Sequence, residues 1–303
     1  MLTGIYPPLP TPFNEDGSLA LDKLRSNVEK LNETGLSGYV ALGSNSEAVH
    51  VTPDEASQVF AAVKKAAAFN KIVIGGTGQF STSATIEITQ RAADAGCAAA
   101  LIVTPFYYKN SMTAEALKKH YFTIADRSPI PVLIYNVPAN TSFNIAPSIV
   151  AEIAKHENVI GIKDSAGDIN QLAEYVRVTR GRGQEAKGVA FEVLSGNYGA
   201  MLPGLTFGIV GAILAVANIA PNECVSIFNL FKTGKLAEAG ELHLRLLPVA
   251  RAVTSQYAVP GLKAAMDMLG YAGGWPRSPL LPSGAEARSD VEKILREAKL
   301  LTR

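Results

Sequence analysis

The stretch Val159-Ile160-Gly161-Ile162-Lys163-Asp164-Ser165 places a lysine directly after a run of uncharged residues. Such a run is typical of a parallel strand that is covered on both faces. A turn at Ala166-Gly167-Asp168 follows, so Lys163 lies where the strand ends. Partial burial there disfavours the ammonium form, and a neutral amine attacks ketones to form Schiff bases. From this stretch alone, a lysine that extends into solvent is the more common alternative.

The alternation of apolar strands and amphipathic helices extends in both directions from this stretch. The strand candidates are residues 4–13, 38–42, 71–77, 98–105, 130–138, 159–165, 191–196 and 209–218. Repeated strand–helix units give a parallel sheet with right-handed crossovers. Eight such units close most economically into a barrel, although a doubly wound open sheet is the alternative. We therefore predict an α/β protein with a (β/α)8 TIM barrel.

Helical patterns separate these strands and continue after the last one. The candidates are residues 19–32, 52–69, 82–96, 113–127, 147–156, 169–179, 198–205, 222–231, 236–257, 260–269 and 287–298. Thr52, Pro53 and Glu55 predict a capping box at one helix start, and a polar loop is predicted over residues 181–184. We expect the barrel to occupy residues 1–220 and a C-terminal helical extension, packed on the barrel, to occupy residues 221–303.

Composition limits the class of partner. The chain has 303 residues, a net charge of +1 and no basic or acidic block, which argues against nucleic acid or anionic membrane as the main partner. Both cysteines, Cys97 and Cys224, lie in apolar runs, as expected for reduced thiols in a reducing compartment. We see no signal peptide, and the longest apolar run, residues 209–217, is too short to span a bilayer. We expect a cytoplasmic protein.

The chemistry of a TIM barrel lies at the carboxyl ends of its strands. These ends fall at Thr11 and at residues 43–47, 77–79, 104–108, 135–138, 163–165, 195–197 and 217–218. Hydroxyls and amides dominate them, and the cations are Lys163 and, further out, Lys109. This set suits imine chemistry with proton transfers and no cofactor.

Metal catalysis finds little support in the sequence. The histidines have no paired ligand spacing, so we predict no metal site and interpret them as surface or packing residues. They are His50, His120, His156 and His243.

Three motifs, in this order and at compatible separations, carry a family resemblance. They are Gly43-x-x-x-Glu47, Tyr135-Asn136-Val137-Pro138 and Gly161-Ile162-Lys163-Asp164-Ser165. Together they resemble the dihydrodipicolinate synthase / N-acetylneuraminate lyase family of class I aldolases, and the resemblance covers the whole chain. It favours Lys163 as a Schiff-base lysine.

The resemblance implies roles for further residues. Lys163 attacks the ketone of pyruvate or of a 2-keto acid that contains it, and Tyr135 moves protons at the imine. Ser44 and Asn45, with backbone amides of their loop, resemble the family's cradle for the substrate carboxylate. Tyr107 resembles the tyrosine that completes a proton relay from an adjacent subunit, which implies a homo-oligomer, a tetramer or a dimer. We also predict that Gly43, Asn140, Ser195 and Gly196 contact the substrate, whereas Glu47 braces its loop.

Two positions depart from the family pattern. The loop usually has glycine where this chain has Ser46, and serine would be strained there if a positive φ were required. Dihydrodipicolinate synthases carry an arginine where this chain has Asn140, to hold the carboxylate of the second substrate. An amide cannot replace a charged bidentate fork.

These departures favour cleavage of a 4-hydroxy-2-keto acid to pyruvate and an aldehyde. Three stretches look like the 4-hydroxy-2-oxoglutarate aldolase branch, with the 2-keto-3-deoxy sugar acid aldolases close by: Gly43-Ser44-Asn45, Tyr107-Tyr108 and Val137 to Thr141. Because the strand ends offer few cations besides Lys163, we hypothesise that a neutral hydroxy-aldehyde is accepted at least as well as glyoxylate. Dihydrodipicolinate synthesis from pyruvate and aspartate semialdehyde is one alternative. A non-catalytic regulator that binds keto acids is another.

Overall fold

A single sheet of parallel strands forms the centre of the computed structural model, which describes residues 2–181 and 190–301. The strands are β1 (Gly4–Tyr6), β2 (Gly38–Ala41), β3 (Ile72–Gly76), β4 (Ala99–Val103), β5 (Val132–Asn136), β6 (Val159–Asp164), β7 (Glu192–Ser195) and β8 (Gly211–Ile213). Their order in the sheet is β1-β8-β7-β6-β5-β4-β3-β2, and a parallel bridge between Pro8 and Val40 links its two ends. The predicted (β/α)8 barrel with a C-terminal helical part is confirmed.

Helices lie between the strands and follow the last one. They are α1 (Leu21–Asn32), α2 (Pro53–Ala66), α3 (Thr82–Asp94), α4 (Ala114–Arg127), α5 (Pro138–Thr141), α6 (Pro147–Ile153), α7 (Ile169–Thr179), α8 (Tyr198–Phe207), α9 (Pro221–Lys232), α10 (Leu236–Arg251), α11 (Ala258–Met268) and α12 (Ala285–Glu297). The predicted capping box begins α2, where the Thr52 hydroxyl accepts from the Glu55 amide and the Glu55 carboxylate accepts from the Thr52 amide. No helix of the described residues is long and apolar enough to cross a membrane.

One compact unit comprises Met1–Thr3 and Ile74–Ile213. Its strands β4 to β8 pair in parallel, each with the next one along the chain. The register sets Tyr135 opposite Lys163 and Asn136 opposite Asp164. Because side chains alternate between the two faces of a strand, the first pair and the second pair point in opposite directions.

The other compact unit comprises Gly4–Val73 and Leu214–Arg303. It contains β1, β2 and the helices α1, α2 and α9 to α12. Backbone hydrogen bonds join the Ile72 amide to the Ser37 carbonyl and the Leu214 amide to the Tyr6 carbonyl. The division that we predict at residue 220 stays a prediction.

Several predicted elements are shorter in the structure. The first strand ends at Tyr6, because the prolines that follow cannot donate to a ladder. The last strand ends at Ile213, and a 3-10 turn occupies Ala215–Asn218. The long helix predicted over residues 236–257 ends at Arg251 and continues as a π turn over Ala252–Gln256. The predicted polar loop lies, from residue 182 onward, outside the described residues.

Candidate active site

Lys163 lies at the end of β6, with Tyr135 beside it on β5. The two residues are register partners in a parallel pair, so their side chains leave the same face. Lys163 is 3% exposed and Tyr135 is 6% exposed. The Lys163 Nζ lies 4.1 Å from the centroid of the Tyr135 ring. The structure thus brings together the two residues that the sequence predicts for imine formation and proton transfer.

The surroundings of Lys163 leave its amine without a carboxylate partner. Within the described part of the chain, no acidic side chain forms an ion pair with Nζ. The neighbouring carboxylate, Asp164, occupies the opposite face of the strand, where it bonds Asn136. A buried amine that is not committed to an ion pair is suited to act as a nucleophile.

Gly196, at the end of β7, makes room for the lysine side chain. A Cβ atom on Gly196 would lie 2.8 Å from Cε of Lys163 and would collide with Oγ of Ser165. The Gly196 amide also donates a 2.6 Å hydrogen bond to the Asp164 carbonyl. Gly196, which the sequence suggests as a substrate contact, therefore borders the path of the lysine itself.

A buried polar network lies behind this pair, on the other face of β5 and β6. The Asn136 side chain donates to Asp164 Oδ1 at 2.6 Å and to Asn144 Oδ1 at 2.8 Å. The Tyr175 hydroxyl donates to the Ile145 carbonyl at 2.5 Å. Burial raises the pKa of Asp164 to about 6, although the Asn136 hydrogen bond opposes the shift. The network ties the carboxyl ends of the two strands together.

Sequence reasoning missed this network. Its signal is nonetheless present, since Asn136 and Asp164 each directly follow a residue that we assign to the site. In a strand, the next residue faces the other side. A polar residue there, in an otherwise apolar strand, predicts a satisfied hydrogen-bonding partner behind the site.

The loop from Gly43 to Glu47, here called the 43–47 loop, belongs to the second unit. Ser44–Ser46 form a 3-10 turn, and Ser44 and Asn45 are half-buried. Ser46 does not have a positive φ angle, so the strain expected under that condition does not arise. The positive φ angles of this region are at Leu42 (59°) and Glu47 (57°). The Ser46 hydroxyl instead donates to the Leu9 carbonyl. Left-handed backbone at a residue other than glycine costs roughly 1–3 kcal/mol and is maintained only by surrounding contacts.

Glu47 braces this loop, as predicted. It is 2% exposed, and its Oε2 accepts a 2.7 Å hydrogen bond from the Arg277 amide. Its Oε1 lies 2.6 Å from Nζ of Lys263, which is also 2% exposed. Sequence analysis missed both basic partners, since they lie far along the chain in the C-terminal part and belong to no recognised motif.

The remaining predicted residues occupy more varied positions. Tyr107 is 73% exposed and belongs to an exposed aromatic cluster with Phe80, Phe106 and Tyr108, in which the Tyr107 and Tyr108 rings lie 5.0 Å apart.

Asn140, another residue predicted to contact the substrate, is exposed on the short helix α5. Ser195 is fully buried, and its hydroxyl donates to the Asn197 carbonyl at 2.9 Å. A Cβ on Gly43 would make ordinary contacts, 3.5 Å from Pro8 and 3.6 Å from Val40, so packing alone does not require glycine there.

The four histidines lie in different environments: His120 and His243 are buried, whereas His50 and His156 are half-buried. Across residues 2–181 and 190–301, no group of three or more histidine, cysteine or acidic residues is placed to hold a metal ion. His120, for example, is buried, and its Nδ1 lies 2.9 Å from the Thr82 hydroxyl. Burial lowers the pKa of His120 to about 4. The predicted packing role fits this environment.

A buried lysine beside a tyrosine at the strand ends of a (β/α)8 barrel is an arrangement suited to the class of Schiff-base-forming aldolases. The comparisons with known proteins agree: the chain belongs to the dihydrodipicolinate synthetase family, whose model matches residues 1–298. Members of this family are pyruvate-dependent lyases of the class I aldolase type, form a Schiff base between a lysine and pyruvate, and need no cofactor. The enzyme class that the sequence predicts is thereby confirmed.

Individual relatives cover nearly the whole chain. A 4-hydroxy-tetrahydrodipicolinate synthase of Methanothrix thermoacetophila is 37% identical over 302 residues, which are 100% of this chain and 99% of the relative. A monomeric dihydrodipicolinate synthase variant of known structure is 30% identical, with a TM-score of 0.91 and coverage of 99% and 98%. A prophage protein of the same family from E. coli K12, solved with pyruvate, is 26% identical, with a TM-score of 0.91 and coverage of 99% and 100%.

The names of these relatives bear on the finer predictions. They correspond to the synthase alternative rather than to our expectation of a 4-hydroxy-2-oxoglutarate aldolase. They give no support to a non-catalytic regulator.

Proposed function

We propose that Lys163 forms an imine with the keto carbon of pyruvate and that a carbon–carbon bond is then made or broken at the pyruvate methyl carbon. The amine adds to the ketone, and water leaves. Loss of a methyl proton gives an enamine, whose carbon attacks the carbonyl of an aldehyde. Hydrolysis of the product imine returns the lysine. The observation that supports this function is the buried Nζ of Lys163, 4.1 Å from the Tyr135 ring centroid.

Tyr135 supplies the proton transfers in this scheme. Its position opposite Lys163 in the strand register supports this role. Each step, from water loss to enamine formation, moves a proton, and a positioned phenol is suited to that task. Ser44 and Asn45 of the 43–47 loop, with Gly43, are proposed to bind the pyruvate carboxylate through hydroxyl, amide and backbone donors. Ser195 and Gly196 are proposed to border the bound keto acid.

For the aldehyde, the names of the relatives favour aspartate semialdehyde, the second substrate of a 4-hydroxy-tetrahydrodipicolinate synthase. The matching relatives are named as such synthases and cover 97–100% of this chain in the first three cases. This is the first candidate for the complete reaction.

One residue favours a second candidate, reversible cleavage of a 4-hydroxy-2-keto acid. Asn140 is exposed on α5, directly after β5, at the place where the synthases are expected to carry arginine. A neutral amide pairs weakly with a carboxylate compared with a guanidinium fork. An aldehyde without a second carboxylate, such as glyceraldehyde, fits this end of the site better than aspartate semialdehyde does.

The imine is tested by borohydride reduction in the presence of pyruvate, followed by peptide mass mapping. The mass of reduced pyruvate is expected on the peptide that contains Lys163. Modification of another lysine, or of none, would overturn the proposed function.

The aldehyde is tested by comparing kcat/KM for condensation of pyruvate with aspartate semialdehyde and for cleavage of 4-hydroxy-2-oxoglutarate and a 2-keto-3-deoxyhexonate. A higher kcat/KM for the condensation with aspartate semialdehyde supports the synthase reaction. A higher kcat/KM for either cleavage supports the aldolase reaction. Asn140→Arg is the matched variant. If residue 140 binds the second carboxylate, this variant should raise the rate with aspartate semialdehyde by roughly tenfold or more. An unchanged ratio of rates would remove residue 140 from substrate selection.

The exposed aromatic cluster accords with a proposed homo-oligomer in which Tyr107 reaches a neighbouring subunit. Phe80, Tyr107 and Tyr108 are 63%, 73% and 71% exposed, and large exposed aromatic surfaces are typical of interaction sites. Sedimentation of the purified chain is expected to show a dimer or tetramer. A monomer with full activity would refute the relay role of Tyr107.

A further inference from the structure

The C-terminal part of the chain contributes charged residues that contact the end of the 43–47 loop. Glu47 ends this loop, and its carboxylate is buried. The carboxylate forms an ion pair with Lys263 of α11 and accepts a hydrogen bond from the backbone amide of Arg277. We propose that Lys263 and Arg277 are positioning residues that hold the 43–47 loop in the conformation that binds the carboxylate of the keto acid. This inference rests on the proposed function, in which the loop is the carboxylate site.

Lys263 is fully committed to this role. Its Nζ lies 2.6 Å from Glu47 Oε1 and donates hydrogen bonds of 2.9 Å to the Thr11 carbonyl and 2.7 Å to the Trp275 carbonyl. The amine also lies 4.9 Å from the centroid of the Phe13 ring. The amine of Lys263 thus forms one ion pair, with Glu47, and two hydrogen bonds, to backbone carbonyls. We therefore assign Lys263 the role of holding the Glu47 carboxylate in place, and not that of a second nucleophile.

Arg277 connects the loop to its surroundings on another side. Its guanidinium forms a bidentate pair with Glu55, at 2.6 and 2.8 Å, and bonds the carbonyls of Gly17 and His50. The guanidinium carbon stacks 4.2 Å from the centroid of the Phe13 ring. Since the same residue donates its backbone amide to Glu47, a rigid guanidinium fixes the position of that amide.

The backbone of the loop explains why such support is needed. The loop is bounded by Leu42 and Glu47, which have φ angles of 59° and 57°, and neither is glycine. A left-handed residue with a side chain persists when surrounding contacts fix it. Removal of the Lys263 ammonium would leave the Glu47 carboxylate buried without its cation, and the loop would rearrange to expose it. Ser44 and Asn45, between the two left-handed residues, would move with it.

The consequence is a selective effect on keto-acid binding. Lys163 and Tyr135 belong to the other unit and keep their own contacts, so the chemistry of the imine is expected to survive. Lys263→Met is expected to raise the pyruvate concentration for half-maximal borohydride trapping about tenfold or more. The maximal extent of trapping at saturating pyruvate should stay near that of the wild type.

The matched control is Lys71→Met. Lys71 is also a buried lysine of the same unit, 7% exposed, whose Nζ donates 2.8 Å hydrogen bonds to the carbonyls of Thr34 and Leu36. Its loss should lower the melting temperature without changing the half-saturating pyruvate concentration. Equal changes of that concentration in both lysine variants, or no change in Lys263→Met, would overturn the inference.

A second variant guards against failure of Lys263→Met to fold. The double variant Glu47→Gln, Lys263→Met removes both charges and so avoids an unpaired buried carboxylate. It is expected to fold and to retain a half-saturating pyruvate concentration several times that of the wild type. A wild-type value in the folded double variant would overturn the inference. Failure of the wild-type chain to trap pyruvate at Lys163 would instead overturn the proposed function, so the two failures are distinguishable.

Discussion

Two lysines are almost equally buried in this chain, yet their surroundings differ, and we propose opposite tasks for them. Lys163 is 3% exposed and Lys263 is 2% exposed. Lys263 forms an ion pair with the Glu47 carboxylate and donates hydrogen bonds to two backbone carbonyls. Lys163 faces the ring of Tyr135, and no acidic residue of the described ranges pairs with it. Burial alone does not distinguish the lysine that we propose as the nucleophile; the partners of each amine do.

The difference follows from where each lysine lies on its element. Lys163 is near the end of a parallel strand, with a register partner on the same face and the neighbouring carboxylate on the other face. Lys263 lies in the middle of α11, among buried residues on several sides. A strand end opens toward a substrate, whereas a helix interior brings its side chain to fixed partners. Substitutions can test each half of this contrast.

The largest effect is expected from Lys163→Met. The variant keeps most of the side-chain volume but cannot form an imine, so turnover should fall on the order of 10^4-fold or more. Borohydride trapping of pyruvate should disappear, while Lys263→Met should still trap at saturating pyruvate. Trapping that persists in Lys163→Met would reverse the contrast between the two lysines.

Tyr135→Phe should separate imine formation from the later steps. The phenylalanine ring can still pack beside the Lys163 amine, but it has no hydroxyl to transfer protons. Trapping should therefore persist, and turnover should fall by roughly a hundredfold or more. Rapid-quench measurement of imine formation beside steady-state turnover checks both parts. Unchanged turnover would remove Tyr135 from the mechanism.

Gly196→Ala should displace the side chain of Lys163. The added Cβ would lie 2.8 Å from Cε of Lys163 and would collide with the Ser165 hydroxyl, so the lysine must shift. Imine formation should slow by roughly 10- to 100-fold, since small displacements of a reacting group are costly. Gly240→Ala in α10, where an added Cβ meets nothing within 4 Å, is the control and should leave the rate unchanged. Equal rates in the two variants would show that the space at Gly196 is not needed.

The smallest effect concerns Asp164, on the reverse face from Lys163. Burial raises its pKa from 3.8 to about 6, so its contribution to stability is present below pH 3.8 and is lost as pH rises through 6. The free energy of unfolding of the wild type, minus that of Asp164→Asn, should therefore grow by roughly 1–3 kcal/mol on acidification through this window. Denaturant unfolding at pH 7 and pH 4.5 measures the difference.

Subtracting the variant isolates this residue from other buried groups. His120, whose pKa burial lowers to about 4, contributes stability that is lost as pH falls from 6.5 toward 4, opposite in sign to Asp164. It is present in both proteins, so its contribution cancels. A difference that does not change with pH would mean that Asp164 titrates normally in the folded chain.

Much of the fold was predictable because local patterns repeat. The alternation of strands and helices needs no knowledge of distant contacts, and the capping box at Thr52 and Glu55 is encoded within four residues. The proximity of Lys163 and Tyr135 was also predictable, because successive strands of a βα repeat lie side by side.

The parts that escaped prediction depend on contacts between distant segments. Nothing in the sequence around Glu47 points to Lys263 or Arg277, although these residues determine its environment. The position of the positive φ angles is a similar case: the condition under which Ser46 would be strained is not met, because these angles fall one position later, at Glu47, and at Leu42. Backbone angles in an irregular loop follow from what holds its ends, and the loop's own residues do not reveal that.

The exposure of Asn140 has a consequence for how the substrate specificity of this enzyme could change by mutation. The residue proposed to meet the aldehyde lies on a four-residue helix, whereas Lys163 and Tyr135 are anchored in buried strands. Replacement of an exposed side chain usually changes stability by only about 0.5 kcal/mol. If residue 140 selects the aldehyde as we propose, a single substitution there would change the preferred aldehyde at little cost to the stability of the strands that carry Lys163 and Tyr135.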